Sequence, residues 1–449
     1  MNNTFSTISA ISTPLGNGGI AVLRVSGEEA ISVVDSHFSG NLIPAKSHRA
    51  LFGKFISNGE TIDEVVVTIF RAPRSYTGED VVEISCHGNM FIAQRILEIL
   101  LEKTRLAEPG EFTQRAFLNE KMGLTQAEAV GDLLMAKTKM QHLAAMEQLE
   151  GSLRGHISDL LKKLTHYRTI LELEIDFSEQ DLEELSRVDL IIGLEQLQAD
   201  LQKLAASGEE GMILKEGLRI SLVGAPNVGK SSIFNKFLQS ERAIVTPEAG
   251  TTRDFLEEAI ALEGYLIRIF DTAGLRETSN QVEKIGISRS YEIIKNSHKI
   301  LFIVSDEENE DEYNKLIELV DPTKIIKVLN KADLHSEEKI AEFKEKKYLI
   351  TSASSADGLQ EIKQRILEDI TITEADLRSG ILNNSRQIAA AKRAILSLSK
   401  ALDSIRAEIG FEFTAFDLKE ASHALEEIIG RVTDDDILNS IFSDFCIGK

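Results

Sequence analysis

At 449 residues the chain exceeds one ordinary domain, and 43% hydrophobic content with a mean hydropathy of −0.09 predicts two or three globular domains with packed cores. A formal charge of −22 argues against tight non-specific nucleic-acid binding, which depends on Lys and Arg displacing counterions from phosphates; Lys137, Lys139, Lys162, Lys163 and Arg168 read more simply as a solvated helix face. No apolar run reaches bilayer length, the opening Met1-Asn2-Asn3-Thr4-Phe5 lacks a leader's features, and Cys86 and Cys446 form neither a disulfide framework nor a metal motif, so a reducing cytoplasm without a membrane partner is expected.

Residues 1 to about 118 read as β-rich with short helices. Strands are expected over Gly19–Val25, Asp63–Phe70 and Asp80–Cys86, and turns over Pro14–Gly19 and Pro73–Gly78. From about 119 to 216 the pattern turns helical. Leu153, Ile157, Leu160, Leu164, Tyr167 and Leu171 form one apolar seam at steps of three and four, and Leu194, Leu197, Leu201 and Leu204 form another. Residues 217–371 alternate strands and helices, with strands over Arg219–Val223, Leu266–Phe270, Ile300–Val304, Ile325–Leu329 and Tyr348–Thr351, as in a doubly wound sheet. Residues 372–449 return to helix, with a seam of Ile388, Ala391, Ile395, Leu398, Leu402, Ile405 and Ile409. The helical segments flank the middle region, so the preferred reading packs them together as one discontinuous bundle rather than as a coiled coil between chains.

The strongest chemical signal is Gly224-Ala225-Pro226-Asn227-Val228-Gly229-Lys230-Ser231, a phosphate-binding loop between a strand and a helix. Glycines admit phosphates close to the backbone amides. Nucleotide contacts are expected from Asn227, Val228, Gly229, Lys230, Ser231 and Ser232, with the Ser231 hydroxyl on Mg²⁺. Asp271-Thr272-Ala273-Gly274 follows a strand, where Asp271 reaches Mg²⁺ through water and the Gly274 amide senses the terminal phosphate. Thr252 occupies the position of a second Mg²⁺ ligand. In Asn330-Lys331-Ala332-Asp333, the Asp333 carboxylate suits the two donors of the guanine edge, and Ser352-Ala353 closes the base pocket. ATP would leave that carboxylate unpaired, so GTP is the expected ligand.

The residue after Asp-x-x-Gly is Leu275, and an aliphatic side chain cannot orient a water. The catalytic polar group must come from elsewhere. Glu277 and Glu283 are the nearby acids.

The ordered motifs resemble a translation-factor-type GTPase, and the whole chain resembles the MnmE (TrmE) family of tRNA-modification GTPases. The resemblance rests on Ser12 to Gly27, Tyr76 to Glu83, Pro109 to Asn119 and the tail Phe445-Cys446-Ile447-Gly448-Lys449. It implies a multidomain fold: an α+β N-terminal folate-binding and dimerisation domain over 1–118, a helical domain in two parts over 119–216 and 372–449, and an inserted α/β P-loop GTPase domain over 217–371.

The resemblance further implies that Glu283 orients the attacking water. It implies a K⁺ ion held by Asn227, Thr246, Glu248 and Thr251, with Thr246 and Thr251 also touching nucleotide. Pro247-Glu248 replaces the family's more usual Asp and aliphatic residue, which is tolerable because the loop's contacts are mainly backbone carbonyls. A tetrahydrofolate derivative would contact Arg24, Glu83, Lys121 and Lys449, and Cys446 would take part in modification. The implied partners are a second copy of the chain, the FAD-dependent MnmG (GidA) and tRNA, whose wobble uridine would be modified at carbon 5 with a one-carbon unit from methylene-tetrahydrofolate. The competing reading is a regulatory GTPase of ribosome assembly, which would carry a basic RNA-binding module that this sequence does not display.

Overall fold

The computed structural model describes residues 6–14, 16–176, 187–240, 242–243, 257–271, 291–307, 310–355, 357–432, 435–443 and 445–449. They form two compact units: Met1–Gly131 with Leu149–Leu161 and Ser422–Lys449, and Asp132–Gln148 with Lys162–Ala421.

The first unit is built on strands β1 (Ile8–Ile11), β2 (Ile20–Ser26), β3 (Arg49–Ser57), β4 (Glu60–Phe70), β5 (Val81–His87) and β6 (Arg105–Leu106), in the order β3-β4-β5-β2-β1-β6. The pairs are antiparallel except β1 with β6. Period-two patterning sends Leu23, Val25, Val82, Ile84, Val65, Val67 and Ile69 into a core beneath α1 (Ala30–Asp35) and α2 (Met90–Leu100). Arg24 and Glu83 lie directly opposite each other in the β2–β5 register, and alternation turns both to the other face. Helix α3 (Glu111–Leu118) follows β6. The three strands expected from sequence all form here.

Helices α4 (Leu124–Met135), α5 (Lys139–Glu150), α6 (Ser152–Asp176) and α7 (Arg187–Glu216) come next. The expected seams are buried except for Tyr167, which is half-buried: Leu153, Ile157, Leu160, Leu164 and Leu171 on α6, and Leu194, Leu197, Leu201 and Leu204 on α7. Within the second unit, α7 packs along helix Ser385–Arg406. Gln198 donates to Ser399 Oγ at 2.7 Å, and Arg406 pairs with Glu195. Gly208 lies where a Cβ would stand 2.6 Å from Ile388, and Gly211 where one would stand 1.9 Å from the Leu382 carbonyl. The intramolecular bundle therefore forms.

Its buried stripe differs from the expected one. Ile388 and Ile395 are only half-buried, and Ile409 lies beyond the helix and is exposed. The stripe is Gln387, Ala390, Ala391, Ala394, Leu398, Ala401, Leu402 and Ile405. Gly208 of α7 leaves room for the Ile388 side chain, and Gly211 for the backbone at Leu382 and Asn383, while the alanines and leucines fill the rest of the stripe. The helix stops where Glu408 turns left-handed, at φ 55°.

The second unit also holds a seven-stranded sheet: β7 (Leu218–Val223), β8 (Arg242–Ala243), β9 (Glu257–Leu262), β10 (Tyr265–Asp271), β11 (Lys299–Val304), β12 (Ile325–Leu329) and β13 (Leu349–Ile350). Its order is β13-β12-β11-β7-β10-β9-β8. The five strands expected from sequence are all present and mutually parallel, while β8 and β9 add an antiparallel edge. Both faces are covered. Ile220, Leu222, Ile267, Ile269 and Leu301 face one core with Ile233 and Phe237 of α8 (Lys230–Ser240), and Val223, Ile300, Phe302, Val304 and Leu329 face the other. Among the described residues no helix is long and apolar enough to cross a membrane.

Candidate nucleotide and folate sites

Strand order reverses at β7, which has β10 on one side and β11 on the other, and the loop after β7 lies at this switch point. Gly224 has φ +149°, and a Cβ there would stand 2.1 Å from the Ile303 carbonyl. Asn227 is left-handed at φ 64°, and Gly229 at φ 94° passes so close to Asn330 that a Cβ would stand 2.2 Å from Nδ2. Only glycine fits at 224 and 229. The loop opens α8 at Lys230, whose first-turn amides have no intrahelical acceptor and suit phosphate oxygens. Lys230 is buried and donates from Nζ to the carbonyls of Gly224 (2.8 Å) and Ala225 (2.9 Å). Ser231 and Ser232 are exposed. Ser231 Oγ stands 3.4 Å from Asp271 Oδ2, so a hydroxyl and a carboxylate, both hard oxygen donors, converge as Mg²⁺ requires.

The base-side residues come from the ends of β12 and β13. Asn330 is 1% exposed. Its Nδ2 donates to the Val228 carbonyl at 2.8 Å, and its Oδ1 accepts the Ala353 amide at 3.2 Å. Lys331, left-handed at φ 58°, donates from Nζ to the Asn227 carbonyl at 2.7 Å. Both side chains thus tie the base loop to the phosphate loop, a role beyond the direct nucleotide contacts expected of them. Ser352 Oγ donates to Asp333 Oδ1, and this bond holds the Asp333 carboxyl below the usual carboxylate range. Ser354 supports the Ser352 hydroxyl at 2.7 Å and was not singled out in the sequence, where it reads as an ordinary loop serine. Thr246, Glu248, Thr251, Thr252, Gly274 and Glu283 lie outside the described residues.

In the first unit, Arg24 donates to Glu83 Oε1 from Nε (3.0 Å) and a terminal nitrogen (2.8 Å). Its guanidinium lies 5.2 Å from the Tyr76 ring centroid and 5.5 Å from that of Phe112. Burial pushes the Tyr76 phenol up, against the Thr113 hydrogen bond and the nearby Arg24 charge. Lys121 Nζ donates to the Pro73 carbonyl at 2.8 Å, at the start of the loop that carries Tyr76. The Lys449 carbonyl accepts the Phe112 amide at 3.2 Å. Arg24, Lys121 and Lys449 therefore border the Tyr76 loop or Phe112, and Glu83 joins them through Arg24. Sequence reasoning passed over these two aromatics; Phe112 is fully buried and Tyr76 half-buried, and they back the Arg24 guanidinium.

The tail is strapped down by Gly110 N–H on the Cys446 carbonyl (3.4 Å) and by pairing of Ile447 with Pro109. Cys446 itself is exposed. Cys86 is buried, and burial pushes its thiol up to about 11, as suits a structural residue.

Residues 7–121 match the family model described as GTP-binding protein TrmE N-terminus, and residues 124–446 match the MnmE helical domain. The chain is 37% identical to the tRNA modification GTPase MnmE of Christiangramia forsetii over 99% of each chain. It is 40% identical to that of Syntrophus aciditrophicus over 99% of each, and 40% identical to that of Aquifex aeolicus over 98% of this chain and 99% of the relative.

Proposed function

The chain belongs to the MnmE family of tRNA modification GTPases, and from that premise we propose that its hydrolysis of GTP is K⁺-stimulated and serves one-carbon chemistry at the wobble uridine, carried out with an FAD-dependent partner. The observation carrying the nucleotide assignment is the joint held by Asn330, which sets an ionised Asp333 and a glycine-lined phosphate loop in one arrangement. An acceptor-only carboxylate matches the two donors of guanine, and the loop amides match the triphosphate.

Mg²⁺ would be held by Ser231 and Thr252, with Asp271 in its outer shell. Asn227, Thr246, Glu248 and Thr251 would hold K⁺, which supplies positive charge beside the phosphates. Glu283 would orient the hydrolytic water. In the first unit, the bonded Arg24–Glu83 pair sits at one end of a folate rather than dividing between pterin and glutamyl tail, so Lys121 and Lys449 remain for the tail carboxylates. Exposed Cys446 is available for a part in modification. The division at 118, 216 and 371, a homodimer through the N-terminal region and a cytoplasmic location complete the reading.

Folate titration tests it. Saturable binding by the wild-type chain and its loss in Arg24→Ala support modification chemistry. Absence of folate binding, or unaltered wobble uridines in tRNA from cells lacking the chain, would return the protein to the ribosome-assembly reading.

A further inference from the structure

We infer that strand β10 is a mechanical link that couples the nucleotide site to helix α5, with Tyr265 and Gly264 as its anchor. Asp271, at its C-terminal end, faces Ser231 of the phosphate loop. Its N-terminal end leaves the tight turn of Glu263 (φ 49°) and Gly264 (φ 91°) that joins it to β9. That tip rests against the helical part of the same compact unit, with Gly264 and Tyr265 half-buried. The Gly264 carbonyl accepts the Met140 amide at 3.2 Å, so it satisfies an otherwise orphan first-turn donor of α5. Met140 shares an apolar cluster with Leu214 of α7, Ile372, Leu377 and Ile381, against which Tyr265 packs.

Tyr265 Oη donates to the Ile372 carbonyl at 3.0 Å. Glu210 of α7 fixes the same exit of the chain, accepting the amides of Thr371 and Ile372 at 3.0 Å each and the Thr371 hydroxyl at 2.9 Å. One strand, roughly 20 Å long at the usual rise, thus ends at the carboxylate beside the phosphate loop on one side and at helices α5 and α7 and the Ile372 segment on the other. Its hydrogen bonds to β7 run from Leu218 to Leu222, so it moves as part of a sheet rather than as a flexible tether. A shift of Asp271 on exchange of GTP for GDP therefore displaces the Gly264 cap of α5.

The inference rests on GTP occupying the phosphate loop, and the test reads that separately. Hydrogen exchange of the first-turn amides of α5 is followed in the full chain with GDP and with a non-hydrolysable GTP analogue, while binding of a fluorescent GTP analogue is measured on the same samples. The expected result is a nucleotide-dependent difference in exchange in the wild type. In Tyr265→Phe and in Glu210→Gln that difference is lost, with nucleotide affinity within about twofold of the wild type and an unchanged melting temperature for Tyr265→Phe. If the nucleotide does not bind the wild type, the phosphate-loop reading and the link fall together. If it binds and α5 exchanges equally in both states, or the difference survives both substitutions, the link alone is overturned.

Discussion

Ser352 Oγ donates to Asp333 Oδ1 at 2.5 Å, so the carboxylate that faces the base is itself held by the loop closing the base pocket. The bond lowers the Asp333 pKa, and the ionised form therefore persists as the pH falls through the ordinary carboxylate range. GTP affinity should fade only below that range in the wild type, and at higher pH in Ser352→Ala. Asp333→Asn should lower GTP affinity by roughly 10–100-fold, because a donor then meets the guanine donors. It should accept xanthosine triphosphate in exchange, since the xanthine carbonyl can take a hydrogen bond from the amide that the substitution introduces. Calorimetry with both nucleotides across pH checks all three outcomes.

Glu111 sits between two arginines. Burial opposes its ionisation, but hydrogen bonds from Arg105, the Glu108 amide and Arg115 outweigh burial and depress its pKa. Its side chain is 8% exposed and that of Arg115 3%. Glu111→Ala removes one of two carboxylates on the buried Arg115 guanidinium, which keeps Glu79 at 3.1 Å, and should destabilise the first unit by about 1–3 kcal/mol. A depressed folded pKa means the contribution is complete above the unfolded value and is lost as pH falls through the folded one. Denaturant titrations should show a wild-type loss of stability in acid that is absent from Glu111→Gln.

Two glycines in long helices should respond oppositely to alanine. At Gly155 of α6 a Cβ meets nothing within 4 Å, so Gly155→Ala should stabilise by about 0.5–1 kcal/mol. At Gly211 of α7 it would press on the Leu382 backbone, and Gly211→Ala should destabilise by about 1–3 kcal/mol. Thermal melts of the two variants check the sign of each.

Hydrolysis should be faster in K⁺ than in Na⁺ at equal ionic strength. Glu283→Ala should leave GTP affinity nearly intact and slow turnover by about 10²–10⁴-fold, the usual contribution of a group that assists proton transfer. Single-turnover rates in the two salts check both. Equal rates would remove the cation, and unchanged turnover would remove the glutamate.

Wherever a local period or loop chemistry acted alone, the sequence was readable. The alternation around Leu23 and Val25, the glycines at 224 and 229 and the leucine seam of α7 each state their environment within a few residues. Strand β9 was missed because Glu257-Glu258-Ala259-Ile260-Ala261-Leu262 carries little β-branched character and is held by pairing with β10. The alanine stripe of helix Ser385–Arg406 was missed because its burial follows from packing along α7, a helix far earlier in the chain, and alanines carry little seam signal of their own. The joining of Arg24 to Glu83 is likewise a matter of register between β2 and β5, which no residue of either strand declares by itself.

The amide of Asn330, bonded at once to Val228 and Ala353, makes two half-ligands out of one nucleotide. Guanosine and inorganic triphosphate each fill only part of a frame whose spacing is set in advance, so each alone should hold weakly. Joined covalently, they gain the advantage of a tether matched to its span, and the nucleotide as a whole binds far more tightly than its fragments.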